Sequence, residues 1–522
     1  VARISDQWHI SFTPRSLFQY PRLHECAAEI KHLLSVNASQ PVTDNCILPN
    51  KDKINPLPLS YGQQRLWFLW QLDPFSTAYH VQHAVRLSGA LDKPALQASF
   101  QDLIERHESL RTIFRSHTAG SVEQLIQPLS PLAITDIDLL SLAVSRREQC
   151  AEEEVQRIIS IPFDLTQGPL LRIALIQVTQ NENIVLIVMH HIISDGVSMQ
   201  ILLNELAAFY QGHVQGKPAC LDHLPIQYAD YTLWQKNWLE AGEKDRQLTY
   251  WQNYLGNEHP ILMLPVDRAR QPATSYPAAR YRFDLSLDVL GQLRQLAFER
   301  GATLFMTLLT AFQVLLFRHT GQQDIRVGVP IANRNRIETS GLIGFFVNTQ
   351  VLRGQLHGRM SLVELLHQVR EDALIAQTHK DLPFEKLVEA LHPHRDLRHS
   401  PLFQVTINHL QKDYRILQQL SGLMTTDYIL PEQAAQLELR LETVELPDGS
   451  VSASFIYAAD LFEPGWIERL AHHFIRILHT LASHPQTTIG AIDLLDDKDK
   501  KQLKVCGSNA PCAAINQPVH HL

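Results

Sequence analysis

The segment MHHIISDG, residues 189–196, places three titratable side chains just after an apolar run. The run IVLIV, residues 184–188, is mostly β-branched, which predicts a buried strand. Two adjacent histidines therefore come where that strand ends, and an aspartate and a glycine follow after three residues. Because histidine titrates near neutral pH and is the usual general base, the pattern suggests proton transfer at the mouth of a cleft.

Each residue of this segment also has an ordinary structural explanation. Asp195 could hydrogen-bond a histidine ring nitrogen and fix its tautomer, or it could hold the loop through an arginine. Gly196 permits a tight backbone and a close approach of substrate. A buried histidine satisfied by a turn aspartate gives the same pattern, so these residues alone leave both interpretations open.

The composition excludes several function classes. The net charge of −8 leaves no basic surplus for phosphate contacts, so nucleic-acid binding is not expected as a main role. Six scattered cysteines show neither metal-ligand spacing nor a disulfide framework, which fits a reduced, cytoplasmic setting. The most apolar stretch, residues 302–317, is too short for a membrane span and contains Thr and Gln, so it predicts a buried helix.

From residue 57 to about 494 the sequence alternates predicted strands and helices, with a second set after Asp230. LLRIALIQV and NIVLIVMHH predict two neighbouring strands of a hairpin. At about 150 residues per domain, 522 residues suggest roughly three domains or two large ones. Mixed sheets flanked by helices, occurring twice, favour an α/β chain of two similar-sized lobes.

Five segments follow from these patterns. They are a small helical unit (1–34), a polar linker (35–56), the N-terminal lobe (57–230), the C-terminal lobe (231–494) and a second polar linker (495–522). The first unit is too small to hold a core alone and is predicted to be the remainder of a truncated domain. It contains one amphipathic helix, whose predicted apolar face is Leu23, Cys26, Ala27, Ile30 and Leu33. VARISDQWHI has neither a start methionine nor the features of a signal peptide, so we expect the chain to be a piece of a longer protein.

Seven stretches occur in an order that resembles the signature stretches of the condensation domains of nonribosomal peptide synthetases. They are SYGQQRLWFLWQL (60–72), RHESLRTIF (106–114), MHHIISDGVSM (189–199), YADYTLW (228–234), IGFFVNTQVLR (343–353), HKDLPFEKLVE (379–389) and RDLRHSPLFQV (395–405). The resemblance covers roughly residues 57–490. It implies two chloramphenicol-acetyltransferase-like lobes in a V-shaped pseudo-dimer, with the active site in a tunnel at their junction.

The resemblance also implies a reaction. An amine of a downstream aminoacyl thioester attacks an upstream peptidyl or acyl thioester, and both substrates are carried on phosphopantetheine arms. The condensation domain itself would need no metal and no cofactor, because the thioester already stores the driving force. The implied partners are upstream and downstream peptidyl carrier domains and an adjacent adenylation domain, in a synthetase where this domain is monomeric.

The family pattern assigns roles around the histidines. His191 matches the catalytic position, as a base or as a group that holds the amine, whereas His190 points to the other side of the strand end and is expected to be structural. Asp195 is expected to shape the loop through Arg334, which we favour over Arg336. Gly196 either offers its backbone N–H to the developing oxyanion or is required by backbone geometry.

Other site residues come from the remaining stretches. Arg65 and Arg111 are expected to be buried structural arginines paired with carboxylates. Asn348 and Ser400 are predicted to line the tunnel, although a serine before proline is also an ordinary turn residue. Tyr228 is assigned both to the tunnel lining and to the aromatic packing of the lobe junction.

The flanks resemble neighbouring domains of such synthetases. VARISDQWHISFTPRSLFQYPRLHECAAEI resembles the second half of a peptidyl carrier domain, and the phosphopantetheine attachment serine is absent because no G-G-x-S precedes it. Ser5, Ser11 and Ser16 are interpreted as surface or turn serines. AIDLLDDKDKKQLKVCGSNAP resembles a linker leading to an adenylation domain.

One position departs from the family pattern. Members that join two L-residues usually carry Trp after D-G, where this chain has Val197. Val197 and Ser198 match the V-S of the D-x-V-S-W motif found in related epimerases. The next residue, Met199, does not match, because that motif has Trp there. Epimerisation of a carrier-bound residue is therefore the alternative, beside a non-catalytic recruitment domain and a coenzyme A-dependent acyltransferase. The intact histidine motif argues against recruitment, and the carrier-like residues upstream argue against coenzyme A.

Overall fold

The fold is described from a computed structural model. It describes Ile4, Trp8, Ser16 and Leu420 and the ranges 22–37, 46–50, 56–116, 121–270, 276–391, 400–411, 422–432, 434–495 and 500–501. The predictions for most of residues 1–21, for most of the linker 35–56 and for most of the tail 495–522 lie outside the described residues.

Twelve helices, numbered in chain order, are present in the described part of the chain. They are α1 (Leu23–Asn37), α2 (Tyr61–Leu72), α3 (Lys93–Arg106), α4 (Val144–Ile159), α5 (Gly196–Gln215), α6 (Tyr228–Trp238), α7 (Lys244–Leu255), α8 (Leu287–Glu299), α9 (Leu304–Thr320), α10 (Leu362–Gln377), α11 (Phe384–Leu391) and α12 (Pro464–Ser483). A five-residue π-helical turn, Leu239–Glu243, connects α6 to α7.

The described strands number fourteen. They are β1 (Leu57–Pro58), β2 (His80–Gly89), β3 (Thr112–Ser116), β4 (Val122–Ile126), β5 (Thr135–Asp138), β6 (Leu171–Thr179), β7 (Glu182–His190), β8 (Ala278–Leu285), β9 (Asp324–Ile331), β10 (Asn348–Gln355), β11 (Val405–Gln411), β12 (Leu423–Asp427), β13 (Leu439–Glu445) and β14 (Val451–Ala458).

The N-terminal lobe is built on a five-stranded sheet with the order β12-β2-β7-β6-β5. Strands β6 and β7 form the antiparallel hairpin that the sequence predicts, with Leu171 opposite Met189. Every residue of β7 after the first is buried, which is why residues 184–189 are continuously apolar rather than alternating. The histidine pair lies at the end of this strand, where the chain leaves the interior of the lobe.

The C-terminal lobe is built on a six-stranded mixed sheet with the order β10-β9-β11-β13-β14-β8. Helices α9 and α12 pack on one another beside it, and α9 is buried at every position from Met306 to Leu316. Its two internal threonines stay buried because Thr307 donates to the carbonyl of Leu304 and Thr310 donates to the carbonyl of Met306. The apolar stretch 302–317 is therefore the buried helix that the sequence predicts.

One strand crosses from the second lobe to the first. Residues Leu423–Asp427 of β12 pair antiparallel with Val85–Gly89 at the edge of the N-terminal sheet. The carbonyl of Ala84 also accepts the backbone N–H of Tyr428. The predicted boundary between residues 230 and 231 therefore does not separate the two sheets, because a segment from the second half of the chain completes the first.

Three residues of the N-terminal helix α1, Cys26, Ile30 and Leu33, form a small apolar cluster with Ile4. Leu23 and Ala27, predicted on the same face, are both exposed, so those two assignments are wrong. Within the described ranges, no single helix is long and apolar enough to cross a membrane. The pair α8 and α9 passes that test only together, by length and composition, with a bend of 106°.

Candidate active site at the lobe junction

The strand end and the following turn fix the direction of each motif residue. Strand β7 ends at His190, one 3-10 turn covers His191–Ile193, and α5 starts at Gly196. Asp195 is the N-cap of α5, and its carboxylate accepts the backbone N–H of Ser198 at 2.7 Å. The spacing of three residues between the histidines and the aspartate is thus one tight turn from a strand into a helix.

His191 is held by its backbone and by one ring nitrogen. Its N–H donates to the carbonyl of Tyr79 at 2.8 Å, and its Nδ1 lies 2.9 Å from the carbonyl oxygen of Ser194. Because a carbonyl only accepts, Nδ1 must carry the proton and Nε2 the lone pair. Nε2 has no partner among the residues that the structure describes, and the ring of Phe345 lies edge-on at 5.4 Å between centroids.

The surroundings of His191 keep its ring neutral. Burial lowers the pKa of His191 below its ordinary 6.5, and the guanidinium groups of Arg65 and Arg440 lower it further. The Ser194 carbonyl and the Asp195 carboxylate oppose this shift without reversing it. At neutral pH the imidazole is therefore unprotonated at Nε2 and able to accept a proton.

His190 has a different environment. It is 3% exposed, and its Nδ1 accepts the backbone N–H of Ile192 at 3.1 Å. Its ring lies 6.3 Å from those of His80 and Phe163. Burial holds the pKa of His190 well below 6.5, with His80 and His191 adding to the effect. The structure therefore packs His190 inside the lobe, away from the open nitrogen of its neighbour.

Asp195 joins the two lobes. Its Oδ1 lies 3.1 Å from Nη2 of Arg334, and its Oδ2 accepts the backbone N–H of Phe346 at 3.0 Å. Arg334 also donates to the hydroxyl of Ser198 at 2.7 Å, and its guanidinium lies over the ring of Phe346 at 4.1 Å. The carboxylate is fully buried, so all of its acceptor sites serve the turn and the lobe contact.

Arg336 lies elsewhere. Its guanidinium lies over the ring of Trp234 at 4.5 Å, whereas Arg334 makes the ion pair with Asp195. Gly196, the first residue of α5, is exposed, has no positive φ, and a Cβ there would meet no atom within 4 Å. Backbone geometry therefore does not require glycine at this position. The next residue, Val197, is partly exposed at the same helix start.

Tyr228 fastens the junction from the side of α6. Its hydroxyl donates to the carbonyl of Phe345 at 2.6 Å and lies 2.9 Å from the hydroxyl of Ser60. The side chain is 2% exposed and packs on Phe346 with ring centroids 5.0 Å apart. Tyr228 is thus a lobe-junction aromatic and does not face open space, which corrects its assignment to the tunnel lining.

The two arginines from the first stretches are both part-buried, and each lies beside a carboxylate. Arg65 pairs with Glu385 at 3.2 Å, which links α2 to α11 across the lobes. Arg111 donates to the carbonyl of Gln127 at 2.7 Å and lies 3.7 Å from Glu108. Of these two arginines, Arg65 is the one whose charge lowers the pKa of His191.

Asn348 fixes a turn with its whole amide group. Its Nδ2 donates to the carbonyls of Lys380 and Leu382, at 2.9 and 2.7 Å, and its Oδ1 accepts the N–H of Phe384 at 3.0 Å. The carbonyl of Ser400 accepts from Gln404 at 2.9 Å, and no contact among the described residues joins Ser400 to the histidines. The tunnel-lining roles of Asn348 and Ser400 stay predictions.

Three neighbours of the site were not identified from the sequence. Phe345 lies against the ring of His191, and Gln63 donates to the carbonyl of Ile192 at 3.1 Å. The hydroxyl of Ser198 donates to the carbonyl of Gly344 at 2.8 Å. Phe345 and Gln63 lie inside two of the matching stretches, which was the available signal.

Two surface clefts lie away from this junction. One, in the N-terminal lobe, is lined in part by Phe209, His223 and Gln227, and the other, in the C-terminal lobe, by Gln292, Glu299 and Pro485. Neither is lined by His191, so the tunnel remains a prediction of the family resemblance. Among the described residues, no group of three His, Cys, Asp or Glu side chains is placed to hold a metal ion.

Comparison with known proteins agrees with this arrangement. The family model described as condensation domain matches residues 53–504. Linear gramicidin synthase subunits C and B of Brevibacillus parabrevis are 41% and 42% identical over 512 and 493 residues. The alignments cover 96% and 94% of this chain but only 6% and 9% of those subunits. Phosphinothricin tripeptide synthetase PhsC of Streptomyces viridochromogenes is 36% identical, over 93% of this chain and 44% of its own length.

Solved structures show the same fold. The X-domain in its complex with OxyB from teicoplanin biosynthesis has a TM-score of 0.78 and 27% identity, over 87% of this chain and 98% of that one. A four-domain nonribosomal peptide synthetase bound to AMP and glycine has a TM-score of 0.75 and 23% identity, over 86% of this chain and 35% of that one. Two mixed α/β lobes that meet at a histidine thus define the chloramphenicol-acetyltransferase-like fold of condensation domains. The chain belongs to the condensation-domain family of nonribosomal peptide synthetases.

Proposed function

We propose that this domain is an acyltransferase that forms an amide bond between two carrier-bound thioesters. The observation that carries the proposal is the geometry of His191, whose Nδ1 is held by Ser194 while Nε2 has no partner among the described residues. A fixed, neutral imidazole is the group needed to take a proton from an attacking amine. The synthetase relatives at about 40% identity support the reaction class.

The reaction proceeds by attack of the acceptor amine on the donor thioester carbonyl. The amine nitrogen forms a bond to the carbonyl carbon, and an N–H proton passes to Nε2 of His191. The tetrahedral intermediate then expels the donor thiol, the C–S bond breaks, and the sulfur takes the proton. The products are an amide on the downstream arm and a free thiol on the upstream arm, with no oxidant and no metal required.

Positioning contributes beside proton transfer. Both reactants arrive on tethers, and aligning two tethered groups can itself supply much of the rate acceleration. The N–H of Gly196, at the first position of α5, has no acceptor within the helix and suits the developing oxyanion. Asp195 and Arg334 act as positioning residues, because they hold the turn that carries His191.

The partners in this proposal are peptidyl carrier domains. The two phosphopantetheine arms belong to carriers upstream and downstream, and an adenylation domain supplies the acceptor. The condensation domain itself works without a bound cofactor, as one monomeric unit of a multidomain synthetase. Residues 1–34 are the end of the upstream carrier, and residues 495–522 lead to the adenylation domain.

The test is a reconstituted single turnover. A donor aminoacyl group is loaded on the intact upstream carrier and an acceptor on the downstream carrier, and the dipeptidyl thioester is measured by mass spectrometry. We expect dipeptide from the wild-type chain and a loss of about 10²- to 10⁴-fold in His191→Ala, the range for removing a general base. His213→Ala, a part-exposed histidine bonded to Asp102 in the same lobe, should react at the wild-type rate.

Each failure of this experiment has a distinct meaning. Scrambled donor stereochemistry without dipeptide would indicate the epimerase alternative. Absence of both products from correctly loaded carriers would favour a recruitment domain. Full activity in His191→Ala would leave tethered positioning as the whole mechanism and remove the base from it.

A further inference from the structure

Arg440 has no carboxylate partner among the described residues, although the neighbouring arginines Arg270 and Arg280 are both paired. Arg270 makes two hydrogen bonds to Glu438, and Arg280 donates to Glu442 at 2.8 Å. Arg440 lies on β13 between these two carboxylates and makes no hydrogen bond or ion pair with the described residues. Its Nε is buried and has no hydrogen-bond partner.

The strand register places Arg440 on the side of the sheet away from the core. Leu439 and Leu441 belong to the hydrophobic core of the C-terminal lobe, so the residue between them points to the opposite face. Four residues before Arg440, the amide of Gln436 donates to the carbonyl of Ala78 in the N-terminal lobe at 2.7 Å. The residues just before β13 therefore contact the segment Ala78–Tyr79, which lies beside His191.

Two observations connect this guanidinium with the histidine. Tyr79, the residue after Ala78, accepts the backbone N–H of His191. Arg440 is also among the charges that lower the pKa of His191. The unpaired cation thus faces the junction of the lobes in the neighbourhood of the reacting nitrogen.

A part-buried cation without a partner lowers the stability of a fold, because its charge is partly removed from water. Guanidinium groups only donate, so any partner of Arg440 must supply a hydrogen-bond acceptor, such as a carbonyl oxygen. The protonated amine of the acceptor substrate would be repelled by the positive charge of Arg440. The carbonyl oxygens of the donor acyl chain, in contrast, could accept hydrogen bonds from its guanidinium. This step rests on the proposed function, in which such a chain enters the junction.

We propose that Arg440 binds a carbonyl oxygen of the donor acyl chain and thereby fixes the donor beside His191. The contact is specific for the backbone of the acyl group and does not depend on its side chain. The positive charge also favours the free-base form of the attacking amine, which is the form that reacts.

The test compares Arg440→Met with Arg282→Met in the single-turnover assay. Arg282 is an exposed arginine on β8, on the same face of the same sheet, so both variants remove one charge. We expect Arg440→Met to slow dipeptide formation about tenfold to a hundredfold with every donor tested, as for a lost hydrogen bond to a charged group. Arg440→Lys should recover part of the rate, and Arg282→Met should react like the wild type.

Two further readouts separate binding from a structural role. Arg440→Met should unfold at the same or a higher temperature than the wild type, because an unpaired cation is removed. The pKa of His191, followed by NMR in the chain without substrate, should rise in Arg440→Met and stay unchanged in Arg282→Met. A lower unfolding temperature together with the slower rate would show that Arg440 supports the fold instead.

Other results would overturn the inference directly. A wild-type rate in Arg440→Met would show that no donor oxygen depends on this residue. A loss confined to donors with acidic side chains would make it a side-chain selector. A wild-type chain that forms no dipeptide would refute the proposed function before any variant is compared, and the inference with it.

Discussion

The two sides of the lobe junction differ in how completely their polar groups are satisfied. On the C-terminal side, Arg334 makes four hydrogen bonds through its two Nη atoms and leaves only its buried Nε without a partner among the described residues, and Asn348 uses both its donors and its acceptor. On the N-terminal side, the ring of His191 bonds through Nδ1 only, and Gly196 opens a helix with its N–H unused inside that helix.

This difference indicates that the two sides of the junction have different roles. Groups that already make most of their hydrogen bonds within the chain hold geometry, because a substrate would have to displace an existing partner. Groups left open at a part-buried junction are available to a substrate. The C-terminal side of this motif is thus the support, and the N-terminal side presents the atoms that react.

The largest effect should come from removing the support. Arg334→Met leaves Asp195 as a buried, unpaired carboxylate, which costs about 3–5 kcal/mol of unfolding free energy. Urea unfolding measures this loss directly. Arg336→Met is the matched control, since that side chain makes a cation–π contact with Trp234, expected to be worth about 1 kcal/mol, and only a longer-range attraction to Asp381. Equal losses in the two variants would contradict the assignment of Arg334 as the lobe support.

Buried histidines on the N-terminal side should make the fold less stable in acid. Burial lowers the pKa of His80 to about 4. When the pH falls, the unfolded chain therefore binds a proton at His80 near pH 6.5, whereas the folded chain binds it only near pH 4. The free energy of unfolding therefore falls as the pH drops from 6.5 to 4, by roughly 3 kcal/mol at 1.36 kcal/mol per pH unit, and is unaffected above 6.5. His190 and His191 act in the same direction, because their pKa values are lowered too.

Urea unfolding between pH 7 and pH 4 checks this dependence. Carboxylates also lose stability in acid, so the informative quantity is the difference between the wild type and His80→Phe. That variant keeps an aromatic ring beside Phe163 and should show a shallower loss. Parallel curves for the two proteins would mean that His80 is not the acid-sensitive group.

Two glycines, one on each side, sharpen the comparison further. A Cβ at Gly344 would overlap the ring of Tyr228, whereas a Cβ at Gly196 would meet no atom within 4 Å. We expect Gly344→Ala to cost about 1–3 kcal/mol through overpacking. Gly196→Ala should stay within about 0.5 kcal/mol of the wild type, as for an exposed site. Thermal unfolding of both variants decides the matter, and a large loss in Gly196→Ala would show a backbone requirement that its geometry does not reveal.

The parts predicted from the sequence are those set by local pattern. The hairpin β6–β7 and the buried helix α9 follow from continuous apolar runs. The pairing of Asp195 with Arg334 was predicted from the family resemblance, and the structure contains that ion pair. Local pattern is sufficient for the hairpin and the helix, whereas the ion pair joins residues 139 positions apart and was predicted only through the family resemblance.

The parts that were missed depend on contacts between distant segments. Strand β12 joins β2, whose residues precede it by more than three hundred positions, and no periodicity in either segment records that pairing. Phe345 lies against the ring of His191, and Tyr228 and Asp195 both hold the peptide group that joins Phe345 to Phe346. Side-chain placement of this kind follows from tertiary packing and not from local propensity.

Tyr228 gives the smallest expected effect and tests one of these corrections. In Tyr228→Phe the carbonyl of Phe345 loses its donor and Ser60 loses a neighbour, while the ring stays packed on Phe346. The unsatisfied carbonyl should cost about 1–2 kcal/mol in urea unfolding. Because the hydroxyl is buried, the rate of dipeptide formation at saturating donor should not change. A specific rise in the donor concentration needed for half-maximal rate, at unchanged stability, would instead place Tyr228 in the tunnel wall, as the family resemblance first suggested.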